Sequence, residues 1–146
     1  MSKPASPVHA AIRRSVLALG ILCAGFAHAG GADVTYSVAS NGFGAWSIDG
    51  VDNPPLTLAR GKTYAFALQD VSVAHPFNIN TINTTGSLNL YNDGVSNNGA
   101  SGSTVITFVV PEDAPDSLHY NCGNHDAMNG PITIISDTLF VDGFDG

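Results

Sequence analysis

The chain has 146 residues, a length that fits one domain with one modest core and leaves little room for a second. Five lysines and arginines stand against twelve aspartates and glutamates, for a formal charge of −7, which disfavours nucleic acid and anionic membrane as partners.

The N-terminus carries Lys3, Arg13 and Arg14 ahead of an apolar run from Val16 to Phe26, closed by Ala27-His28-Ala29. Basic residues, an apolar stretch of about a dozen residues and small residues before the break are the pattern of a secretory signal peptide. The run is well short of the roughly 20 residues that span a bilayer. Cleavage is expected after Ala29, leaving a periplasmic or secreted chain without a membrane span. Lipidation at Cys23 is disfavoured because Leu22 stands where a lipobox carries a small residue. Beyond position 29 only Arg60 and Lys62 remain basic while all twelve acids are retained, so the mature formal charge is −10. Such a charge keeps a secreted protein soluble, and it also suits steering toward a basic partner.

The expected domain covers residues 30–136. It is rich in Val, Thr, Ile and Phe in short runs broken by Gly, Asn, Asp and Pro, with no long helical period. Strands are predicted over Asp33 to Ala39, Ala45 to Asp49, Leu56 to Ala59, Thr63 to Leu68, Pro76 to Asn80, Thr104 to Val110, Leu118 to Asn121 and Pro131 to Ile135. About eight short strands in a domain of this size indicate an all-β sandwich. Pro54-Pro55, Arg60-Gly61-Lys62 and the segment from Pro111 to Pro115 supply turn chemistry between them. Thr81 to Ser103, full of Asn, Gly, Ser and Thr, is expected to be a long surface connection with little regular structure. It holds the sequon Asn83-Thr84-Thr85, which the bacterial character of the signal peptide makes a weak glycosylation site. Residues 137–146 form an aromatic and acidic tail resembling short terminal tails on some secreted bacterial proteins.

Removal of Cys23 with the signal peptide leaves Cys122 as a lone thiol, so no intrachain disulfide can form. In an oxidising compartment such a thiol is paired with another chain, buried, or bound to metal. Its neighbours favour metal. Cys122, His125 and Met128 fall at intervals of three on one inter-strand loop, Cys122-Gly123-Asn124-His125-Asp126-Ala127-Met128. A blue-copper site takes two imidazoles, one thiolate and a weak axial thioether, because soft sulfur stabilises Cu(I) while imidazole also suits Cu(II). The loop supplies three of these four ligands. The fourth should be a distant histidine, and His75 at the start of the apolar run Pro76-Phe77-Asn78-Ile79 is preferred to His119. His119 lies three residues before Cys122, so strand alternation turns it to the opposite face, as a surface or satisfied structural histidine.

These residues resemble the cupredoxins, the type-1 blue copper proteins with a Greek-key β-sandwich. The Cys-x2-His-x2-Met spacing is similar to amicyanin-type loops within the plastocyanin-like group. His75-Pro76-Phe77 and Gly94-Val95-Ser96-Asn97-Asn98-Gly99 are similar to motifs of small secreted cupredoxin-domain proteins. The resemblance covers roughly Asp33 to Ser136. It implies one type-1 copper per chain, held by His75, Cys122, His125 and Met128, in a monomeric one-electron carrier. The partner it implies is a transient redox protein, cytochrome c-like or an oxidoreductase. A copper storage or delivery module uses the same ligands, and a structural cupredoxin domain for partner binding is the third alternative.

Counting residues prunes competing chemistries. A dinuclear copper centre needs two bridging cysteines, multicopper enzymes need more imidazoles, and zinc disfavours methionine as fourth ligand. No paired carboxylates make a catalytic case and no third group to orient a Cys-His pair is identifiable in the sequence, so the chain is expected not to be an enzyme. Two positions depart from the family pattern. Pro76 replaces the usual asparagine after the first histidine and has no N–H to donate to the thiolate. Asn124, where related loops often carry proline, offers an N–H that can restore that bond, and a mid-range potential is expected. His125 should present its edge to partners, ringed by Gly123, Ala127, Pro131 and Pro76.

Overall fold

The computed structural model describes residues 31–137, so the expected signal peptide and the tail beyond Asp137 lie outside the described residues. Ten strands form two sheets. In chain order they are β1 (Val34–Asn41), β2 (Ala45–Ile48), β3 (Val51–Asp52), β4 (Leu56–Ala59), β5 (Thr63–Leu68), β6 (Phe77–Asn80), β7 (Val95–Ser96), β8 (Val105–Val109), β9 (Ser117–Cys122) and β10 (Asn129–Ile135). One sheet has the order β3-β2-β1-β5-β8-β7 and the other β4-β10-β9-β6. The parallel neighbours β1 with β5 and β4 with β10 arise because the chain repeatedly crosses between the sheets. This is the sandwich expected from the alternating runs.

Alternation fixes which side chains enter the core. In β9, Leu118, Tyr120 and Cys122 are fully buried, and in β10 Gly130, Ile132 and Ile134 are buried between exposed residues. Trp46, Phe66, Phe77, Phe108, Leu58, Ile79, Ile106 and Met128 complete the core. Burying each large apolar side chain contributes about 1.5–3 kcal/mol relative to exposure.

The predicted strands all exist, β4 and β5 with the expected ends and the others with ends shifted by at most two residues, and two more are present. β3 and β7 are two residues long, too short to show a period. β6 begins at Phe77 rather than Pro76, because proline brings no N–H to the ladder. All four residues of β6 are buried: Phe77 and Ile79 toward the core, Asn78 and Asn80 on the other face.

That second face is covered by the connection expected to have little regular structure. Its residues are largely exposed, yet it is tied down by β7, by bridges Phe77↔Ala100 and Asn80↔Leu90, and by Asn98. The Asn98 amide accepts from Ile79 N at 2.8 Å and donates to the carbonyls of Ile79 and Tyr91 at 3.0 and 2.9 Å. Asn78 donates to Gly86 O at 2.8 Å and Asn121 to Asn83 Oδ1 at 2.6 Å. Polar side chains thus lock a glycine-rich segment that apolar patterning does not reveal.

Candidate metal centre

Two neighbouring strands deliver the thiol and the first imidazole. β6 and β9 are antiparallel, with Phe77 opposite Cys122, so the residues just before Phe77 meet the end of β9. His75 stands there, in a turn closed by its N–H donating to Ser72 O at 2.9 Å. It is 5% exposed, and its Nδ1 lies 3.7 Å from Cys122 Sγ. Burial, and secondarily the nearby His125, hold its pKa below the ordinary histidine value, which favours the neutral imidazole that ligates metals.

The loop after β9 brings back the second imidazole. Cys122 N donates to Met128 O at 2.8 Å and Met128 N to His125 O at 3.3 Å, so the segment from Cys122 to Met128 closes on itself. His125 is half-buried with Nδ1 at 3.4 Å from Cys122 Sγ. Met128 is fully buried in the core beneath this loop's backbone bonds. Among the described residues, His75, Cys122 and His125 form the group able to hold a metal, their ligand atoms all within 4.8 Å of one another.

The donor set and its spacing fit copper. Donors lying about 2.0–2.3 Å from a common ion are separated by roughly 3.3–3.8 Å, and the two sulfur–nitrogen distances, 3.4 and 3.7 Å, fall in that range. Two imidazoles, a buried thiol and a buried thioether are the soft and borderline ligands of a type-1 site.

Around the thiol, the sequence expectation about donors is met in geometry. Pro76 has no N–H, and Asn124 N lies 3.4 Å from Cys122 Sγ as a donor. The Asn124 side chain donates to Ala74 O at 2.9 Å, and Gly123 N donates to Pro76 O at 2.9 Å, stitching the loop to the segment that carries His75. A Cβ on Gly123 would lie 3.4 Å from the Pro76 ring, at contact distance, so the loop backbone runs directly against that ring.

Three features differ from expectation. His119 faces away from Cys122, opposite Pro131 and Asn80 on the outer face, but it is not satisfied: its Nδ1 is buried with no partner among the described residues. Pro131 shares that outer face and is not part of the surround of His125. Its place is taken by Phe43, from the tip of the β1–β2 hairpin, whose ring centroid lies 5.5 Å from His75 and 5.1 Å from His125. Trp46 packs edge-on against His75 at 6.3 Å and against Phe77 at 4.9 Å. Sequence reasoning missed Phe43, Trp46 and Asn53. The available signal was the aromatic between two glycines in Gly42-Phe43-Gly44, directly after an Asn-Gly hairpin turn.

No family model matches the sequence, and no curated protein matches it. Among solved structures, the copper protein rusticyanin is 20% identical over 72% of this chain and 80% of its own, with a TM-score of 0.51. Reduced rusticyanin is 19% identical over 73% of this chain and 82% of its own, with a TM-score of 0.50. Auracyanin from the photosynthetic bacterium Roseiflexus castenholzii is 24% identical over 72% and 99%, with a TM-score of 0.45. At these identities the likeness is one of architecture. The chain has the cupredoxin fold, and its His75, Cys122, His125 and Met128 are positioned to form a type-1 copper site within it.

Proposed function

We propose that the protein is a one-electron carrier that binds a single copper ion through His75, Cys122, His125 and Met128. The observation that carries this reading is the convergence of Cys122 Sγ with both imidazole Nδ1 atoms, at 3.7 and 3.4 Å, from the end of one strand, the turn before its neighbour and one loop. A bound copper would supply the exchange between Cu(I) and Cu(II). The chain's own residues do the rest. His75 and Cys122 are held by the β6–β9 pair and by core packing, which resists rearrangement when the charge of the site changes. His125 is the half-buried ligand, and its edge is the route for the electron between the site and a docked redox protein.

The exchange needs no general acid or base, consistent with a carrier that is not itself an enzyme. The excess of acidic residues suits a transient, electrostatically steered encounter with a basic redox partner, and the signal-peptide-like N-terminal pattern supports a role in the periplasm or outside the cell. No helix among the described residues is long and apolar enough to cross a membrane.

The test is titration of the purified protein with Cu(II), followed by rapid mixing with a reduced cytochrome c. An intense visible thiolate-to-copper band at one copper per chain, lost within the mixing experiment as the site is reduced, is the expected result. A protein that takes up no copper refutes the site. A coloured protein that exchanges electrons no faster than free Cu(II) refutes the carrier and leaves a storage or delivery role.

A further inference from the structure

The ligand loop and the His75 turn account for two sides of the site. A third side is formed by a segment distant in sequence. The β1–β2 hairpin turns through Gly42, whose φ of +58° favours glycine, and presents Phe43 at its tip. Phe43 is 69% exposed, an unfavourable position for a phenyl ring, and its aromatic neighbours there are the two imidazoles. Its centroid lies 5.5 and 5.1 Å from theirs, while theirs are 4.7 Å apart, so the three rings form a tilted cluster. The same hairpin supplies Trp46 to the buried side of His75.

A clamp holds this hairpin on the metal-binding loop. Asn53 adopts a φ of +46° just after β3, and its Oδ1 accepts from Trp46 N at 2.9 Å. Its Nδ2 donates to Ala127 O at 2.9 Å and reaches Gly44 O at 3.5 Å. One amide therefore ties the residue after Phe43, the start of β2 and the residue before Met128.

We propose that the β1–β2 hairpin tip is a third segment of the metal centre, in which Phe43 is a positioning residue that sets the planes of His75 and His125 and shields their edges from water, with Asn53 as its clamp. This rests on the copper reading above. Fixing both planes before the metal arrives lowers the rearrangement required on binding and on electron exchange. A phenyl ring over the imidazole edges also keeps small anions and water from the open side of the site.

The experiment uses the full chain in metal-free form, as wild type and as Phe43→Leu, Phe43→Ala, Phe43→Tyr and Asn53→Ala. The ring protons of the three described histidines are followed by NMR at a pH where the imidazoles are neutral, with His119 as an internal control because it lies on the outer face. In Phe43→Leu and Phe43→Ala, the His75 and His125 resonances should lose their aromatic ring-current displacement while those of His119 stay put. The rate of Cys122 modification by an aromatic disulfide reagent should rise roughly three- to tenfold, the range expected when one aromatic contact restraining local opening is lost. Phe43→Tyr should restore both properties, and Asn53→Ala should move both in the same direction as Phe43→Leu. Unchanged His75 and His125 resonances, or equal movement at His119, would overturn the role of the hairpin. A parallel Cu(II) titration of wild type separates the two readings: no thiolate-to-copper band overturns the copper assignment, whereas a band with unresponsive imidazoles overturns the hairpin alone.

Discussion

Replacing Asn124 by proline removes one N–H from the thiol while leaving the four ligands in place. Asn124 N points at Cys122 Sγ across 3.4 Å, and Pro76, the other residue whose backbone could serve, has no hydrogen to offer. A donor to a thiolate stabilises it most when sulfur carries the most charge, which is the Cu(I) state, so the bond raises the reduction potential. A hydrogen bond to a charged group contributes about 1.5–3 kcal/mol; at this length, and counting only the difference between oxidation states, about 1 kcal/mol is appropriate. With about 59 mV per tenfold change in a one-electron equilibrium, Asn124→Pro should lower the potential by roughly 40 mV. The substitution also deletes the side-chain bond to Ala74 O at 2.9 Å, so Asn124→Ala, which keeps the N–H, is the control. Redox titration of the copper-loaded proteins, followed in the visible band, measures both. A potential for Asn124→Pro equal to or above that of Asn124→Ala would refute the account of the N–H as the donor that replaces the one absent at Pro76.

The scaffold makes three further predictions. A Cβ on Gly130 would overlap the ring and hydroxyl of Tyr120, whose OH donates to Pro54 O at 2.7 Å, so Gly130→Ala should cost about 2–3 kcal/mol in urea unfolding; a loss under about 0.5 kcal/mol would contradict this packing. Asn98→Ala frees the Ile79 backbone and unpins the connection between β6 and β8, for a loss of about 2–3 kcal/mol, with amide exchange accelerated between residues 81 and 103; unchanged exchange would show that the bridges suffice. His75 has its pKa lowered by burial first and His125 second, so the unfolded metal-free chain takes up this proton at higher pH than the folded one. Stability should therefore fall as pH drops below about 6.5 toward the folded-state pKa and level off beneath it, and His75→Gln should flatten that part of the profile. Identical slopes in the two proteins would exclude His75 as their source.

The metal centre illustrates how strain is avoided in a site assembled from distant parts. Cys122 closes β9, His75 lies at the entrance to its partner strand, and a backbone bond from Gly123 to Pro76 and a side-chain bond from Asn124 to Ala74 O join the two approaches. That registry brings the His75 turn within 3.7 Å of the thiol. A one-residue slip of β6 against β9 would turn Phe77 out of the core and take His75 from the thiol, so the apolar pattern that sets the register also sets the site.

Local rules made much of this legible in the amino-acid order alone. Short β-branched and aromatic runs bounded by Gly, Asn, Asp and Pro marked the segments that became β1, β2, β4 to β6 and β8 to β10. Cys122, His125 and Met128 were legible as one ligand loop because their spacing is local, and His75 because histidines are few and His119 has the wrong parity. What sequence could not decide were contacts made by residues with no periodic signature. β3 and β7 pair for two residues each. The polar amides of Asn78, Asn98 and Asn121 become structural only when the long connection folds back over them. Phe43 reaches the imidazoles, and Asn53 reaches Ala127 from 74 residues away in the chain, through the stacking of one sheet on the other. The proposed ligand set rests on chemistry and local spacing, which the sequence by itself carries; the wall around that set depends on which loops the two sheets bring to the same end, and only the tertiary structure decided that.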